Sequence, residues 1–499
     1  MWLRLLLLRI RRRRLLLLRG ASVRWPNSHV TPCRVGAGLA ACTLAALGSA
    51  SALPPPDPGA AAMPPGAIAF HAACKQAAAA EVDRGFWLLH SFWYEEAQKA
   101  FAKAQRAEPT CSAAFWGQGL AQNALLWDAP SNHVAALAAA RRGQALARTA
   151  VDRAWSQAVL ALIQEGKGAF RDRLHEMYAW RPDDPEIASF YALALISSVS
   201  RGDTERWKAA RAEATTVLRG VLAQRPEHPG ALHYFIHAND DPAHAADALA
   251  AARTYGRIAP TIPHALHMPS HIFRQLGLWD EDIAANLAAF AAQEAWLDRN
   301  PRGGSHEWHS LRFVVEAYLA KGDPTVARAM LDLLRDGSAK QKERSAYFEA
   351  LAEYVLETQS WDQASAFPEG GPKDVRSYVR GMAAWRLGNH PGVTQAIEEI
   401  DRVDRGGEQN RILLEEDELR AVQAASQGDP PHGLEILEEA SATSEAALGD
   451  DDPVISPHEL AADILCQLGR TGEAQAEISR LAQIHPGHPP PADCLLSSP

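Results

Sequence analysis

Beyond residue 55 the chain has no sustained alternation of apolar and polar residues and few β-branched side chains, which excludes the half-buried strands a sheet requires. Alanine and leucine run through it instead, so the expected class is all-α. No glycine-rich phosphate loop follows a strand, and neither a G-x-S-x-G elbow nor an HExxH pair occurs. These absences remove the common nucleotide-binding, serine-hydrolase and zincin readings, and GGSHEWH at 303–309 does not replace the last of them. Acidic residues are missing from the first 52 positions, so all 60 Asp and Glu lie beyond Ala52.

The first 52 residues carry nine arginines and then an apolar run from Val35 to Ala52. With Arg34 as the positive end, VGAGLAACTLAALGS as the apolar core and Ala50-Ser51-Ala52 as the cleavage site, residues 1–52 read as a targeting segment for export to the periplasm or cell envelope. Its depth and the LLLL and RRRR blocks upstream point to true initiation near Val23 or Val30. The competing detail is Leu39-Ala40-Ala41-Cys42, which resembles a bacterial lipobox and would anchor the chain through Cys42. Loss of the nine arginines moves the formal net charge from −10 to −19, which argues against a nucleic-acid partner. No later run of about 18 apolar residues occurs, so membrane association is expected only through a lipid anchor. An oxidising compartment allows bridges Cys74–Cys111 and Cys466–Cys494.

A chain of 499 residues is too long for one ordinary compact domain and must either divide or stack small units along an axis. Residues 53–66 form a proline-rich leader, and 67–499 a repeat domain. In GFWLLHSFWYEEAQKAFAKAQRAEP the residues Ala97, Phe101, Ala104 and Pro109 stand where the second helix of a tetratricopeptide (TPR) unit packs on the first. The pattern returns in IFRQLGLWDEDIAANLAAFAA, with Leu276-Gly277 closing one helix. It returns again in CQLGRTGEAQAEISRLAQIHP, with Gly469 at the turn, which makes about 457–490 a C-terminal TPR. Weaker copies (AYLAKGDPTVARAML, AAWRLGNHPGVTQAI, VQAASQGDPPHGLEI) bring the expected total to about ten helical pairs. A TPR-like α-solenoid of stacked antiparallel pairs follows. The aromatic group Phe86, Trp87, Phe92, Trp93 and Tyr94, together with Trp116, Trp127 and Trp279, reads as packing, and His90 as a satisfied core histidine.

The opening LLHSFWYEEAQKAF…EPTCSAAFWGQGLAQN, the central HYFIHAND…IAPTIPHALHMPSHIFRQLGLWDEDIAAN and the closing ISPHELAADILCQLGR resemble a family of bacterial TPR-repeat proteins largely without assigned function. The resemblance covers most of residues 80–490 and is weakest at 335–410. It implies a fold and no particular reaction.

Eight of the nineteen histidines fall within residues 233–309. His233 and His237 stand four apart on a helical stretch and share a face. Pro269 suits the first turn of a helix, which places His271 inside that helix and His264 and His267 in the preceding loop, so no i,i+4 relation is expected for His267 and His271. Stacking of adjacent repeats would still bring them toward His233 and His237. His306 and His309 form a candidate rim; Asp240, Asp241 and His458 are further candidate ligands. His244 is left out of the set. Neutral imidazoles with one or two carboxylates suit zinc, iron, copper or nickel, with zinc or iron preferred. Two functions are compatible with this: a scaffold binding a protein or peptide partner, its histidines fixing a joint with or without metal; or a metal-dependent, hydrolytic envelope enzyme acting on a small molecule near the block, with Glu307 or Glu459 as general base. The bland alternative is that the histidines lock a proline-rich loop through ordinary hydrogen bonds.

Overall fold

The computed structural model describes residues 68, 70, 72–123, 132–200, 204–301, 306–340, 344–403, 409–447 and 454–484. The helices below all lie within Pro55–Pro499. The targeting segment with its lipobox, the leader at 53–66, Trp127 and Cys494 lie outside the described residues, and with Cys494 the expected Cys466–Cys494 bridge.

Every regular element among the described residues is helical, and most helices pack against the next in chain order, the arrangement of a TPR-like α-solenoid. The first units are α1 (Gln76–His90), α2 (Tyr94–Ala107), α3 (Ser112–Ala121), α4 (His133–Leu146), α5 (Ala150–Glu165), α6 (Lys167–Trp180), α7 (Pro185–Ser197) and α8 (Thr204–Gln224). The middle of the chain supplies α9 (Pro229–Ala238), α10 (Ala245–Ile258), α11 (Pro263–His267), α12 (Pro269–Gln275), α13 (Trp279–Arg299), α14 (Trp308–Ala320) and α15 (Pro324–Gly337). After a single 3₁₀ turn come α16 (Ser345–Glu357), α17 (Trp361–Ser365), α18 (Lys373–Arg386), α19 (His390–Ile400), α20 (Gln409–Ser426), α21 (Pro430–Ala447), α22 (Pro457–Gln467) and α23 (Thr471–Ile484).

Local sequence explains where these helices start and stop. Thr149 and Asp152 close a capping box on α5, and Ser456 and Glu459 close another on α22, each N-cap contributing about 1 kcal/mol. Gly277 and Gly469 end their helices at φ 65° and 71°, the left-handed turn read from the Leu-Gly pairs. Small residues then let the pairs approach. The Phe101 ring fills the space over Gly85 and Gly117, where an added Cβ would fall 2.6 Å and 2.5 Å from it. Trp116 and Trp155 stack with centroids 5.1 Å apart in the same core.

Contacts distant in sequence turn this array back on itself. α9 packs against α1 as well as against its neighbours. Trp296 of α13 donates its Nε1–H to Glu96 of α2 at 3.2 Å, and Trp93 meets the Trp296 ring edge-on. The first pair of helices therefore rests on the His-bearing middle of the chain. Cys74, just before α1, is bonded to Cys111, the N-cap residue of α3, as one of the two bridges expected.

The bridge closes a loop of 37 residues around the first helical pair, which by chain entropy contributes about 4 kcal/mol. Cys111→Ser is expected to accelerate amide hydrogen exchange in α1–α3 while leaving α18–α21 unchanged. Equal exchange in both regions would show that the bridge does not restrain the first pair.

Candidate metal centre

The histidine block folds into two triads of imidazoles. His233 and His237 project from one face of α9, as the four-residue spacing requires, and His264 reaches them from α11. Their ligand nitrogens converge: His237 Nε2 and His264 Nε2 each lie 3.1 Å from His233 Nε2. The second triad is His267 of α11, His271 of α12 and His309 of α14. His267 Nε2 and His271 Nε2 are 3.0 Å apart, and the His309 ring stands 4.9 Å from that of His267. Within each triad the donor atoms lie within 4.8 Å of one another. His309 is exposed, whereas His233, His267 and His271 are buried.

The expectation that His267 and His271 break the i,i+4 relation is corrected here. Met268 keeps helical angles (φ −50°, ψ −36°), so α11 runs into α12 with hardly a change of course despite Pro269. A proline in a first helical turn needs no N–H, and the usual bias of the preceding residue toward extended backbone has been overridden. His264 and His267, expected in a loop, are thereby helical and point to different triads.

The outer nitrogens of three of these rings are committed. His233 Nδ1–H donates to the backbone carbonyl of His90 at 2.6 Å. His271 Nδ1–H donates to Asp240 Oδ2 at 2.8 Å, and Asp240 is steadied by Gln275. His267 Nδ1–H donates to Asn286 Oδ1 at 2.6 Å, the Asn286 amide nitrogen being occupied by Asp282. Desolvation and neighbouring imidazoles hold His233, His264 and His267 well below the ordinary histidine pKa, so these rings are neutral near pH 7. A neutral ring that donates from Nδ1 has a bare lone pair at Nε2. The Nε2 atoms of His267 and His271 face each other across 3.0 Å, a spacing that either a proton held between the two rings or a bound cation would bridge. Two nitrogens bound at about 2.0–2.1 Å to one tetrahedral ion stand about 3.3 Å apart. The observed separations of 3.0–3.1 Å fit that requirement.

A third group, His90, Glu186 and His228, shows what a satisfied histidine cluster looks like. His90 and His228 donate from Nε2 to the two oxygens of Glu186 at 2.7 Å and 3.0 Å. Tyr234 Oη donates to His90 Nδ1 at 2.9 Å, and the Ala231 backbone N–H donates to His228 Nδ1 at 3.1 Å. Burial alone would raise the Glu186 carboxyl, but the two imidazoles hold it well below the usual carboxylate range. Each polar atom of this trio has a partner, which is the structural role foreseen for His90.

Each triad is roofed by one phenylalanine. Phe92 has its ring 4.4 Å, 6.0 Å and 5.4 Å from His233, His237 and His264, and Phe313 lies 4.9 Å, 5.2 Å and 5.0 Å from His267, His271 and His309. Phe92 sits at φ 52°, in the turn position that Gly277 and Gly469 hold in later repeats. Holding a phenylalanine there costs about 1–2 kcal/mol. Reading Phe92 as core packing alone was thus incomplete; the signal available in the sequence was a bulky residue where the turn grammar asks for glycine.

Other expected site residues fall elsewhere. His306 pairs with Glu294 and lies against Trp308, and His458 is held by Glu477 at 2.6 Å in the last helical pair. Neither joins a triad. Asp240 serves as acceptor to His271, Asp241 pairs with Arg211 and His244, and Glu459 caps α22 through the Ser456 N–H. Glu307 precedes α14, half-buried, and burial raises its carboxyl pKa. The residues sequence reasoning missed are the outer acceptor Asn286, the Glu186–His228 pair and the roofing Phe313, which have no local signature.

No family model matches this chain, and no curated protein matches it. Among solved structures it is similar to Naa15/Naa10 bound to HypK-THB, at 15% identity over 80% of this chain and 62% of that one, with a TM-score of 0.24. It is similar also to yeast Tom70 (12% identity, 82% and 92% covered, TM-score 0.29) and to the TPR domain of P58(IPK) (13%, 82% and 96%, TM-score 0.21). The chain spans less than two thirds of the first of these. At such scores nothing about the histidines passes from those proteins to this one, and the fold assignment rests on the helix packing itself.

Gly230 of α9 faces the His90 ring so closely that any Cβ would overlap it. Gly230→Ala is expected to cost about 1–3 kcal/mol by overpacking and to shift the His90 carbonyl from His233. Thermal unfolding of the variant checks this, and an unchanged midpoint would show that the α1–α9 joint yields freely.

Proposed function

We propose that this protein is a helical-repeat scaffold that carries a two-ion transition-metal site, one ion in each histidine triad. The observation that carries the reading is the convergence of three imidazoles in each triad, their donor atoms within 4.8 Å of one another, with the Nδ1 atoms of His267 and His271 hydrogen-bonded to Asn286 and Asp240. Metal-binding histidines ordinarily show this second hydrogen bond, which sets the tautomer and aims the free nitrogen. Zinc and iron, the ions expected from the sequence, and copper or nickel are all compatible with imidazole donors. The stacked helices present a surface for a protein or peptide partner, and the metal site stiffens the joint between α9, α11, α12 and α14. Residence in the oxidising cell envelope is part of this proposal, supported by the Cys74–Cys111 bridge. No helix among the described residues is long and apolar enough to cross a membrane.

Elemental analysis of the full chain, purified without a histidine tag or chelator, is expected to find about two transition-metal ions per molecule. The double variant His233→Ala/His271→Ala is expected to lose both, while His306→Ala and His458→Ala keep them. Metal-free wild-type protein that refuses added ions, or equal occupancy in the double variant, would overturn the assignment. Asn286→Leu removes the acceptor of His267 and is expected to weaken binding in the second triad by about 10–100-fold, read by competition with a chromogenic chelator.

A further inference from the structure

We infer that the two triads form one coupled dicopper centre that binds dioxygen between its ions, a proposal that rests on the metal-binding reading above. Three observations lead there. The first is the donor set. Both triads consist of imidazole alone, with no carboxylate or thiolate among the converging atoms. Hard ions such as magnesium, calcium and manganese want oxygen ligands, and non-haem iron takes a carboxylate with its two histidines. Among the ions that imidazole suits, copper is held most tightly.

The second observation is the spacing of the triads. The ring centroids of His264 and His267 lie 6.3 Å apart, and those of His237 and His271 6.5 Å apart. Inside the first triad His237 and His264 are already separated by 6.4 Å. The divide between the triads is thus about as wide as the span within one of them, and the six rings form a single belt. Two ions in such a belt repel each other, and Asp240, hydrogen-bonded to His271 Nδ1, offsets only part of that charge. Two monovalent ions repel one quarter as strongly as two divalent ions at equal separation, which favours a cuprous pair over a pair of zinc ions.

The third is access and lining. Three protein ligands per ion leave a coordination position open on each. Phe92 and Phe313 roof the triads with rings that carry no proton donor, and the exposed His309 marks the side on which solvent reaches the belt. In the binding step each cuprous ion gives one electron to dioxygen. The ligand becomes a peroxide bridging two cupric ions, with the O–O bond kept and no proton consumed; release reverses the transfer.

The test uses the full chain loaded anaerobically with cuprous ion and then exposed to dioxygen. The expected result is two coppers and one dioxygen taken up per chain. A near-ultraviolet peroxide-to-copper charge-transfer band should appear, and the cupric paramagnetic-resonance signal should fall at least about tenfold below the copper content because the two spins couple. His309→Ala, at an exposed position that folding tolerates, is expected to abolish dioxygen uptake and the band and to turn the remaining copper resonance-visible on oxidation. Two coppers that oxidise to two full uncoupled signals without dioxygen uptake would overturn the coupled centre and leave metal binding intact. So would failure to take up copper in a chain whose triads fill with zinc. A chain that binds neither ion would overturn both proposals at once.

Discussion

The hydrogen bond from His233 Nδ1 to the carbonyl of His90 joins residues 143 positions apart and sets the direction of the ring at the centre of the first triad. It exists because α9 lies directly on α1, and that contact depends on Gly230 having no side chain where it faces His90. The same His90 side chain is fixed from its other edge by Glu186 and Tyr234. A buried, fully partnered network on one side of a single backbone carbonyl thus orients a buried ring on the other. Helical repeats without such a joint would present the His233–His237 pair with no fixed tautomer.

The three histidine groups differ in how their ring nitrogens are arranged. Around Glu186 every nitrogen has a complementary partner, so the network is closed and its burial costs little. In the triads, hydrogen-bond acceptors occupy the outer nitrogens and leave the inner ones facing one another. Desolvation holds His233 and His267 well below the ordinary histidine pKa.

Strain is concentrated at the same place. Most of the left-handed positions in this array are glycine, and Gln359 and Phe92 are the described exceptions at positive φ. Phe92 has a reason visible in the structure: its ring contacts all three imidazoles of the first triad. That contact is set against a backbone cost of about 1–2 kcal/mol for a phenylalanine at positive φ.

The helical class, the Gly-centred turns at Gly277 and Gly469, the Cys74–Cys111 pairing as one of two options and the shared face of His233 and His237 were all legible in the amino-acid order. These features depend on a few consecutive residues, through backbone periodicity, capping and left-handed turn geometry. The division of the histidines was not legible. His264 and His267 stand three apart on one short helix, yet they serve different triads; His309 enters while its neighbour His306 pairs with Glu294. An imidazole's role is set by which acceptor holds its second nitrogen. Here those acceptors come from 143, 31 and 19 residues away, through helix stacking that no local pattern encodes.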